Sequence, residues 1–358
     1  MPFNAEQLAF AGKAAIDFFL KNDPIDQINT ARPLFDKLVG NRKEYTGGLQ
    51  FVVEQIRESN DSNFQSYFGD TQVTYNRKRT LNQAKFEYGA FHDGFGLNED
   101  ELVQNGITMT DDRTAKPTGA EKVQLTNLLK ENMETLKLGF QEGFDLQLHR
   151  DGTAATTDIV GLDAIIAVDP TTGVLGGIDP ATKTYWRNQV SLDISIANLI
   201  EQMEIQWREC IRFGGMSPDF LVAGDVFVQA YRKALLTTGA AGGIQVQQSR
   251  NGAGSIEMDG GVGSGTRTGL FFKGVEIIWD PVFDVLEAAD SPAQEWDSRC
   301  YFINTRFLTL RPIAGHWMVS RRPPRVYDRY VNYWATTAKA ALTTGKRQAH
   351  ALLTVTGS

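Results

Sequence analysis

The residue types that most often perform chemistry are sparse in this sequence and widely spaced. The histidines are His92, His149, His316 and His350. No two of them have the H-x-x-x-H spacing that places a pair of imidazoles on one face of a helix, so the sequence does not favour a zinc site. Cys210 and Cys300 lie far apart without a C-x-x-C partner. We expect both to be buried free thiols and not a disulfide or a reactive pair.

Glycine-rich loops that cradle phosphates have a strict spacing, and residues 239–269 do not meet it. Gly261, Gly263 and Gly265 are spaced by two, but Thr266 stands where G-x-G-x-x-G requires its third glycine. The sequence also lacks the Walker pattern, the G-x-S-x-G elbow, the H-E-x-x-H helix and the calcium-binding loop. It therefore predicts a surface loop at residues 239–269 and no cofactor.

Consecutive carboxylates at Glu99, Asp100 and Glu101 have the chemistry of a general acid and base. Acidic residues also favour the first turn of a helix, because they face the positive end of the helix dipole. That interpretation explains the cluster without catalysis, and residues 97–106 are predicted to form a short helix.

Two basic clusters are the candidate contact sites. The first consists of Arg77, Lys78 and Arg79, and the second of Arg321, Arg322 and Arg325. The first is either a solvated loop or a contact with an acidic neighbouring copy of the chain. The second either touches nucleic acid or, since proline interrupts it, lies on the surface and pairs with acids across an interface. We take both clusters as subunit-interface candidates.

The composition is typical of a folded protein and does not favour binding to nucleic-acid phosphates. The chain has 358 residues, of which 42% are apolar and 22% charged, with a net charge of -7 and a pI near 5.3. Nucleic-acid binders usually carry a basic balance, so the acidic total argues against that class. The first 20 residues lack the layout of a secretion signal, and no apolar stretch reaches about 18 residues, the length needed to span a membrane. We expect synthesis in the cytosol.

A long amphipathic helix at residues 120–149 is the element around which the chain is organised. Thr118 and Glu121 form a capping box before it, and Gly152 can end it in a left-handed conformation. One face carries an apolar stripe, made of Leu125, Leu129, Met133, Leu136, Phe140 and Phe144. At 1.5 Å per residue the helix is roughly 45 Å long, so its stripe needs an extended partner surface.

The other elements follow from periodicity. Helices are predicted at residues 5–20, 24–38, 195–213 and 224–236. Strands are predicted at residues 49–56, 85–90, 218–223, 270–279 and 300–311, with the first two forming a long hairpin. A final hairpin is expected to join residues 331–342 to residues 347–356. The alternation of helix and strand from residue 195 onward is an α/β rhythm.

The order of these segments closely resembles the major capsid proteins of tailed bacteriophages. The likeness rests on KFEYGAFHDGFGLNEDELVQNG (85–106) and, after the long helix, DIVGLDAIIAVDPTTGVLGGIDPATKTYWRNQ (158–189). Later pieces agree: PDFLVAGDVFVQAYRKAL (218–235), FKGVEIIWDP (272–281) and YFINTRFLTLRP (301–312). The segment with Gly161, Gly176-Gly177 and Trp186-Arg187-Asn188 is the most specific part.

The resemblance implies an α+β chain with the Hong Kong 97-type capsid fold. Its parts would be an N-terminal arm at residues 1–45, an extended hairpin loop at 46–95, a peripheral domain at 96–189 and 312–358 that contains the long helix, and an axial domain at 190–311.

The resemblance also implies a structural protein without enzymatic activity. It would assemble with itself into hexamers and pentamers of an icosahedral head, enclose double-stranded DNA without sequence-specific binding, and be located in the virion after synthesis in the bacterial cytoplasm. A portal, possible decoration proteins and a separate scaffolding protein are the other expected partners; only about 45 residues precede Gly47, which does not favour a fused scaffold. The alternatives are a protein nanocompartment shell of the same fold and a soluble α+β enzyme with an unrecognised site.

Overall fold

The computed structural model describes residues 31–47, 50–98, 100, 119–155, 157–242, 267–290, 295–323 and 331–356. The helices in these ranges are α1 (Pro33–Gly40), α2 (Gly119–His149), α3 (Leu162–Ile165), α4 (Leu199–Gly214), α5 (Asp225–Gly242) and α6 (Val282–Ala289). The strands are β1 (Phe51–Arg57), β2 (Leu81–Glu87), β3 (Gly89–Asn98), β4 (Gln189–Ile194), β5 (Phe220–Ala223), β6 (Arg267–Phe272), β7 (Val275–Trp279), β8 (Arg299–Ile303), β9 (Leu308–Pro312), β10 (Val319–Arg321), β11 (Val331–Thr344) and β12 (Ala351–Val355). The predicted α+β class is confirmed.

The chain divides into two compact units. Among the described residues, the first comprises 90–98, 100, 119–144, 315–323 and 331–339, and the second comprises 31–47, 50–89, 145–155, 157–242, 267–290, 295–314 and 340–356. The predicted peripheral and axial domains follow other boundaries and stay a prediction.

A six-stranded mixed sheet forms the core of the second unit, in the order β4-β12-β8-β5-β7-β6. Its central strands β5, β8 and β12 are buried along their whole length, in agreement with their mostly apolar sequences. Helices α4 and α5 contribute Leu199, Met203, Trp207 and Phe227 to the same core cluster. The predicted α/β rhythm is therefore confirmed, with α5 continuing beyond its predicted end.

The long helix α2 is confirmed at its predicted length. The structure describes its side chains from residue 130 onward, and Leu136, Phe140 and Phe144 of the predicted stripe are buried there. Met133 is 44% exposed, so that part of the stripe prediction is wrong. Gly152 has the expected positive φ, +79°. Thr118 lies outside the described residues.

In the first unit, α2 packs through aromatic edges. The ring of Phe144 meets those of Phe91 and Trp317 edge to face, with centroids 4.9 and 5.5 Å away. The strands of this unit are β3, β10 and the first part of β11, and Phe95 of β3 stacks on Trp334 of β11. Strand β3 includes Leu97 and Asn98, so the predicted helix does not begin at Leu97.

Two predicted strands are each divided into two. The segment 270–279 is a hairpin, because Lys273 and Gly274 have φ values of +48° and +85° and reverse the chain between β6 and β7. The segment 300–311 turns at Asn304, whose carbonyl accepts the amides of Phe307 and Leu308. As a result β8 and β9 lie in different sheets.

The predicted C-terminal hairpin is wrong. Strand β11 pairs with β9 and β10, whereas β12 pairs with β4 and β8 in the six-stranded sheet. Between them a short 3-10 turn buries Arg347. The chain changes sheets at this buried arginine and does not fold back on itself.

Other predictions lie partly or wholly outside the described residues. These are the helix at 5–20, residues 24–30 of the helix at 24–38, the acidic cluster except Asp100, and residues 243–266 of the predicted loop. The structure adds helix α6, which the sequence did not predict.

Candidate functional site

A long hairpin, residues 51–87, is the candidate functional site. Strands β1 and β2 pair antiparallel from Phe51 opposite Glu87 to Arg57 opposite Leu81. Beyond these strands, side-chain hydrogen bonds keep the two arms of the hairpin next to each other. These join Asn63 to Asn76, Gln65 to Thr74 and Phe68 to Thr71, with the reversal at Gly69 and Asp70. The predicted long hairpin is confirmed.

Large aromatic side chains are exposed on the distal part of this hairpin. Phe64, Phe68 and Tyr75 are 90–91% exposed and Tyr67 is 72% exposed. The hydrogen bonds on either side place Phe64 opposite Tyr75. Monomeric proteins rarely expose such a group of rings without a use, and a patch of this kind marks an interaction surface. We call these residues the aromatic tip.

The base of the hairpin is fixed to its own unit. Val52, Ile56, Ala84 and Phe86 are buried, which follows from the alternation of side chains along paired strands. Between them, Glu54 accepts two hydrogen bonds from Arg311, at 2.7 and 3.1 Å from Nη2 and Nε. Both donors converge on one oxygen, Glu54 Oε1, and a charge-assisted contact of this kind restricts the orientation of the hairpin base.

Two further contacts hold the hairpin near Leu81. Lys183 forms an ion pair with Glu58, and the Asn82 amide donates to the Tyr185 hydroxyl at 3.1 Å. The hydrogen bond to Glu58 raises the pKa of the Lys183 ammonium above its usual value. The hairpin therefore has a fixed base and an exposed tip.

A polar groove of about 500 Å³ lies on the exposed face of the hairpin base. Its walls are formed by Gln55, Arg79, Leu81, Asn82, Gln83, Lys85, Gly176 and Gly177. Two of these residues are cationic and none is acidic. The groove thus has the charge that would accept a carboxylate.

The predicted site residues fall in two places. Arg77, Lys78 and Arg79 are exposed on the returning chain of the hairpin, and Arg79 also lines the groove. In the first unit, Arg321 donates to the Thr337 hydroxyl at 2.7 Å and the guanidinium of Arg322 lies 5.8 Å from the Trp334 ring centroid. Arg325 lies outside the described residues.

Sequence reasoning missed the aromatic tip. It identified the stretch between β1 and β2 by its polar residues and its basic run, for which it left open a solvated loop or a contact with a neighbouring copy of the chain. The available signal was the presence of Phe64, Tyr67, Phe68 and Tyr75 in a stretch too polar to form a core of its own. Exposed rings in such a stretch are better explained by a partner.

Hydrogen bonds from side chains to backbone carbonyls hold together residues 158–189, the segment with the most specific resemblance. Trp186 donates to the Leu175 carbonyl, Arg187 to that of Pro180 and Asn188 to that of Ala167. A Cβ at Gly161 would lie 2.0 Å from the Arg150 carbonyl oxygen, so only glycine fits there. These side chains hold the backbone of the segment in place.

Both cysteines are buried free thiols, as predicted. Burial raises the pKa of Cys210 to about 12 and that of Cys300 well above its usual range. In the described part of the chain, no group of three or more histidine, cysteine, aspartate or glutamate side chains could hold a metal ion. No helix within the same ranges is both long and apolar enough to cross a membrane.

Comparison with known proteins gives a match in structure. The sequence matches no family model and no curated protein. The capsid of cyanophage A-1(L) superposes with a TM-score of 0.59 at 14% identity, covering 94% of this chain and 97% of that one. The capsid of the Myoviridae phage XM1 gives a TM-score of 0.53 at 14% identity, with the same coverage of both chains.

This chain has a phage capsid fold. A structure from Mycobacterium phage Adephagia extends the match to 99% of this chain and 98% of that one, with a TM-score of 0.50 at 10% identity. The agreement confirms the fold class that the resemblance implied, a Hong Kong 97-type capsid fold of mixed helix and sheet. At these identities it is the capsid fold that the chains share, and no residue role transfers with it.

Proposed function

We propose that this chain is the major capsid protein of a tailed double-stranded DNA bacteriophage, and that it assembles with itself into the icosahedral head. The observation that carries the proposal is the match to phage capsid structures over almost the whole length of both chains. A shell subunit needs contact surfaces and no catalytic centre, so the proposed role is structural and not enzymatic. The particle location and synthesis in the host cytoplasm belong to the same proposal.

The long hairpin is the proposed contact between copies. The aromatic tip supplies apolar area, and aromatic side chains are the commonest anchors of protein interfaces. The ion pairs at Glu54 and Glu58 keep the base in one orientation, which lowers the entropic cost of docking the tip. A neighbouring subunit is the partner that a self-assembling shell always provides.

The basic residues add charge complementarity to this contact. The chain has a net charge of -7, so a neighbouring copy offers an excess of carboxylates to Arg77, Lys78 and Arg79. Arg321, Arg322 and Arg325 are proposed as a second interface cluster. The same excess negative charge repels DNA, which suits a wall that encloses a genome without binding its sequence.

The other proposed partners follow from the assembly. Hexamers and pentamers of this chain would form the shell. A separate scaffolding protein, a portal and a decoration protein would complete the head.

Expression of the full chain, with and without the scaffolding protein of its phage, tests the proposal. We expect size-exclusion chromatography to give capsomers or particles, and negative-stain microscopy to show closed shells. A stable monomer under both conditions would contradict the proposed function.

A charge-reversal variant tests the hairpin contact. Replacing Arg77, Lys78 and Arg79 with glutamate should lower the yield of shells at least several-fold while the circular dichroism spectrum stays that of the folded chain. The control is Arg77→Lys with Arg79→Lys, which keeps the charge and should assemble normally. An unchanged shell yield in the glutamate variant would remove the basic run from the interface.

A further inference from the structure

A buried ionisable cluster lies in the second unit, where the last turn of α2 meets α1 and the start of α6. Asp145 and His149 belong to α2, and Asp280 precedes α6; all three side chains are fully buried. Arg32, immediately before α1, and Asp36 of α1 are the other charged groups of the described residues that act on Asp145. None of these residues belongs to the long hairpin, and the proposed function does not use them.

Each ring nitrogen of His149 makes a contact that needs a hydrogen, carried either by the nitrogen or by the group it contacts. Nδ1 lies 2.9 Å from the Asp145 backbone carbonyl oxygen, which can only accept, so Nδ1 carries hydrogen. Nε2 lies 3.2 Å from Asp280 Oδ2. One proton must lie between these two atoms, whichever of them carries it. A neutral imidazole with its hydrogen on Nδ1, next to an ionised carboxylate, would leave no hydrogen between Nε2 and Oδ2. The His149–Asp280 pair therefore carries one proton more than those two forms have together.

Asp280 is well placed to keep this arrangement. Its other oxygen, Oδ1, accepts the backbone amide of Val282 at 3.0 Å, at the start of α6. The His149 ring also meets the Phe283 ring edge to face, with 5.1 Å between centroids. The pair thus joins the end of α2 to the first turn of α6.

Asp145 differs from His149, because both of its carboxyl oxygens are buried and have no hydrogen-bond partner among the described residues. Oδ1 comes within 3.5 Å of His149 Nδ1, but that nitrogen already donates to the backbone carbonyl. A buried carboxylate without donors is costly, and a proton removes its charge. Arg32 favours the charged form, whereas Asp36 and Asp280 oppose it.

The balance of these effects favours protonation of both groups. Burial raises the pKa of Asp145 to about 7, with His149 and Arg32 only partly opposing it. Burial alone would lower the pKa of His149, but the two carboxyl groups, Asp145 and Asp280, outweigh it and raise the pKa to about 9. Each group binds a proton more tightly in the folded chain than in the unfolded chain.

We propose that the cluster of Asp145, His149 and Asp280 is a proton-binding site that makes the packing of α1 and α6 against the end of α2 depend on pH. The direction of this pH dependence is the opposite of the usual one for a carboxyl group. A folded-state pKa above the unfolded value gives stability at low pH that is lost as the pH rises. The contribution of Asp145 is lost between about pH 4 and pH 7, and that of His149 between about pH 6.5 and pH 9.

Two variants separate these contributions in the full chain. Asp145→Asn keeps the shape and removes the carboxyl proton, and His149→Gln removes the imidazole. The control is Glu134→Gln, an exposed carboxylate on the same helix. For each protein, urea unfolding from pH 4.5 to pH 9.5 gives the unfolding constant at each pH.

One extra proton in the folded state changes the unfolding constant by up to about tenfold per pH unit. Relative to wild type, Asp145→Asn should lose this dependence between pH 4.5 and pH 6.5, and His149→Gln should lose it between pH 7 and pH 9. Glu134→Gln should keep both. If the wild type and Asp145→Asn differ by the same factor at every pH, Asp145 binds no extra proton and the proposal is overturned.

Hydrogen–deuterium exchange gives a second readout. It uses the wild-type chain and therefore does not depend on whether a variant folds. After correction for the intrinsic pH dependence of exchange, amides of α1 and α6 and the last turn of α2 should open more often as the pH rises from 5 to 9. Amides of β5 and β8 in the sheet core serve as the internal reference. Equal protection of the cluster elements at both pH values would count against the proposal.

Discussion

Buried polar side chains decide much of this fold at the scale of single residues. Arg347 is 1% exposed and donates to the carbonyls of Ala164, Ile165 and Trp186 and to the side-chain oxygen of Asn188. Its burial lowers its pKa to about 10, so it remains charged at neutral pH. Four acceptors in fixed directions match the planar fork of a guanidinium, and a lysine cannot reproduce that geometry.

Replacement of Arg347 with lysine should therefore lower the free energy of unfolding by about 2–4 kcal/mol, because the substitution leaves buried carbonyl oxygens without donors. Urea denaturation of the full chain at pH 7 measures the change. The exposed Arg306→Lys variant is the control and should differ from wild type by less than about 0.5 kcal/mol. A similar small effect for both variants would show that the buried network tolerates a lysine.

The cysteines give a second prediction at this scale. Cys210 and Cys300 are buried and their pKa values are raised, so neither thiol is accessible or ionised under native conditions. A thiol reagent such as Ellman's reagent should leave the native chain unmodified up to pH 9 and modify both residues once the chain is unfolded in urea. Rapid modification of either thiol without urea would contradict the burial.

The long hairpin is the element that most directly relates structure to function. Its base is held by Glu54 and Glu58, while its aromatic tip is exposed. Exposed apolar area contributes roughly 25 cal/mol for each Å² that a partner covers. A change at the tip should therefore affect association and leave the folded chain intact.

Replacing Phe64 and Tyr75 with serine should lower the yield of shells at least tenfold while the urea midpoint stays within experimental error of wild type. The reason is that both rings are exposed in the free chain and would be buried only in an assembly. Val174→Ser, at a 69% exposed apolar residue outside the hairpin, is the control and should assemble as wild type does. A loss of folding stability in the double variant would instead place the rings in the chain's own core.

Charge acts at the scale of the whole molecule. The chain is acidic overall, and its exposed cations include the basic run on the hairpin. Contacts between exposed charges weaken when salt shortens the screening length from about 8 Å at 0.15 M to about 3 Å at 1 M. Apolar contacts do not weaken in this way, so salt separates the two parts of the proposed interface.

Light scattering of assembling subunits at 0.15 M and 1 M sodium chloride measures this effect. We expect slower assembly in high salt for the wild type. The variant with Arg77, Lys78 and Arg79 changed to alanine should be slow at both salt concentrations and should show a smaller difference between them. If that variant keeps the full salt dependence, other charges carry the electrostatic part of the interface.

The sequence determined the elements whose signal is local. The long helix, the hairpin of β1 and β2, the α/β rhythm and the burial of both cysteines follow from periodicity, turn residues and composition. The apolar stripe of α2 was right at Leu136, Phe140 and Phe144, which the fold covers, and wrong at Met133, which it leaves exposed. Periodicity identifies a face of a helix, but it does not show how far along that face a partner extends.

Only the tertiary structure decided which strands pair and which polar groups meet. The two C-terminal strands looked like a hairpin because they are adjacent in sequence, yet β11 pairs with β9 and β10, whereas β12 pairs with β4 and β8. The aromatic tip could be identified only from the structure, which shows that the rings are exposed to solvent. Asp145 and Asp280 are 135 residues apart in sequence, and nothing local predicts that both would be buried around His149. Local patterns reflect short-range geometry, whereas burial and pairing depend on the whole chain, which is why the sequence predicted the elements and the fold alone assembled the sites.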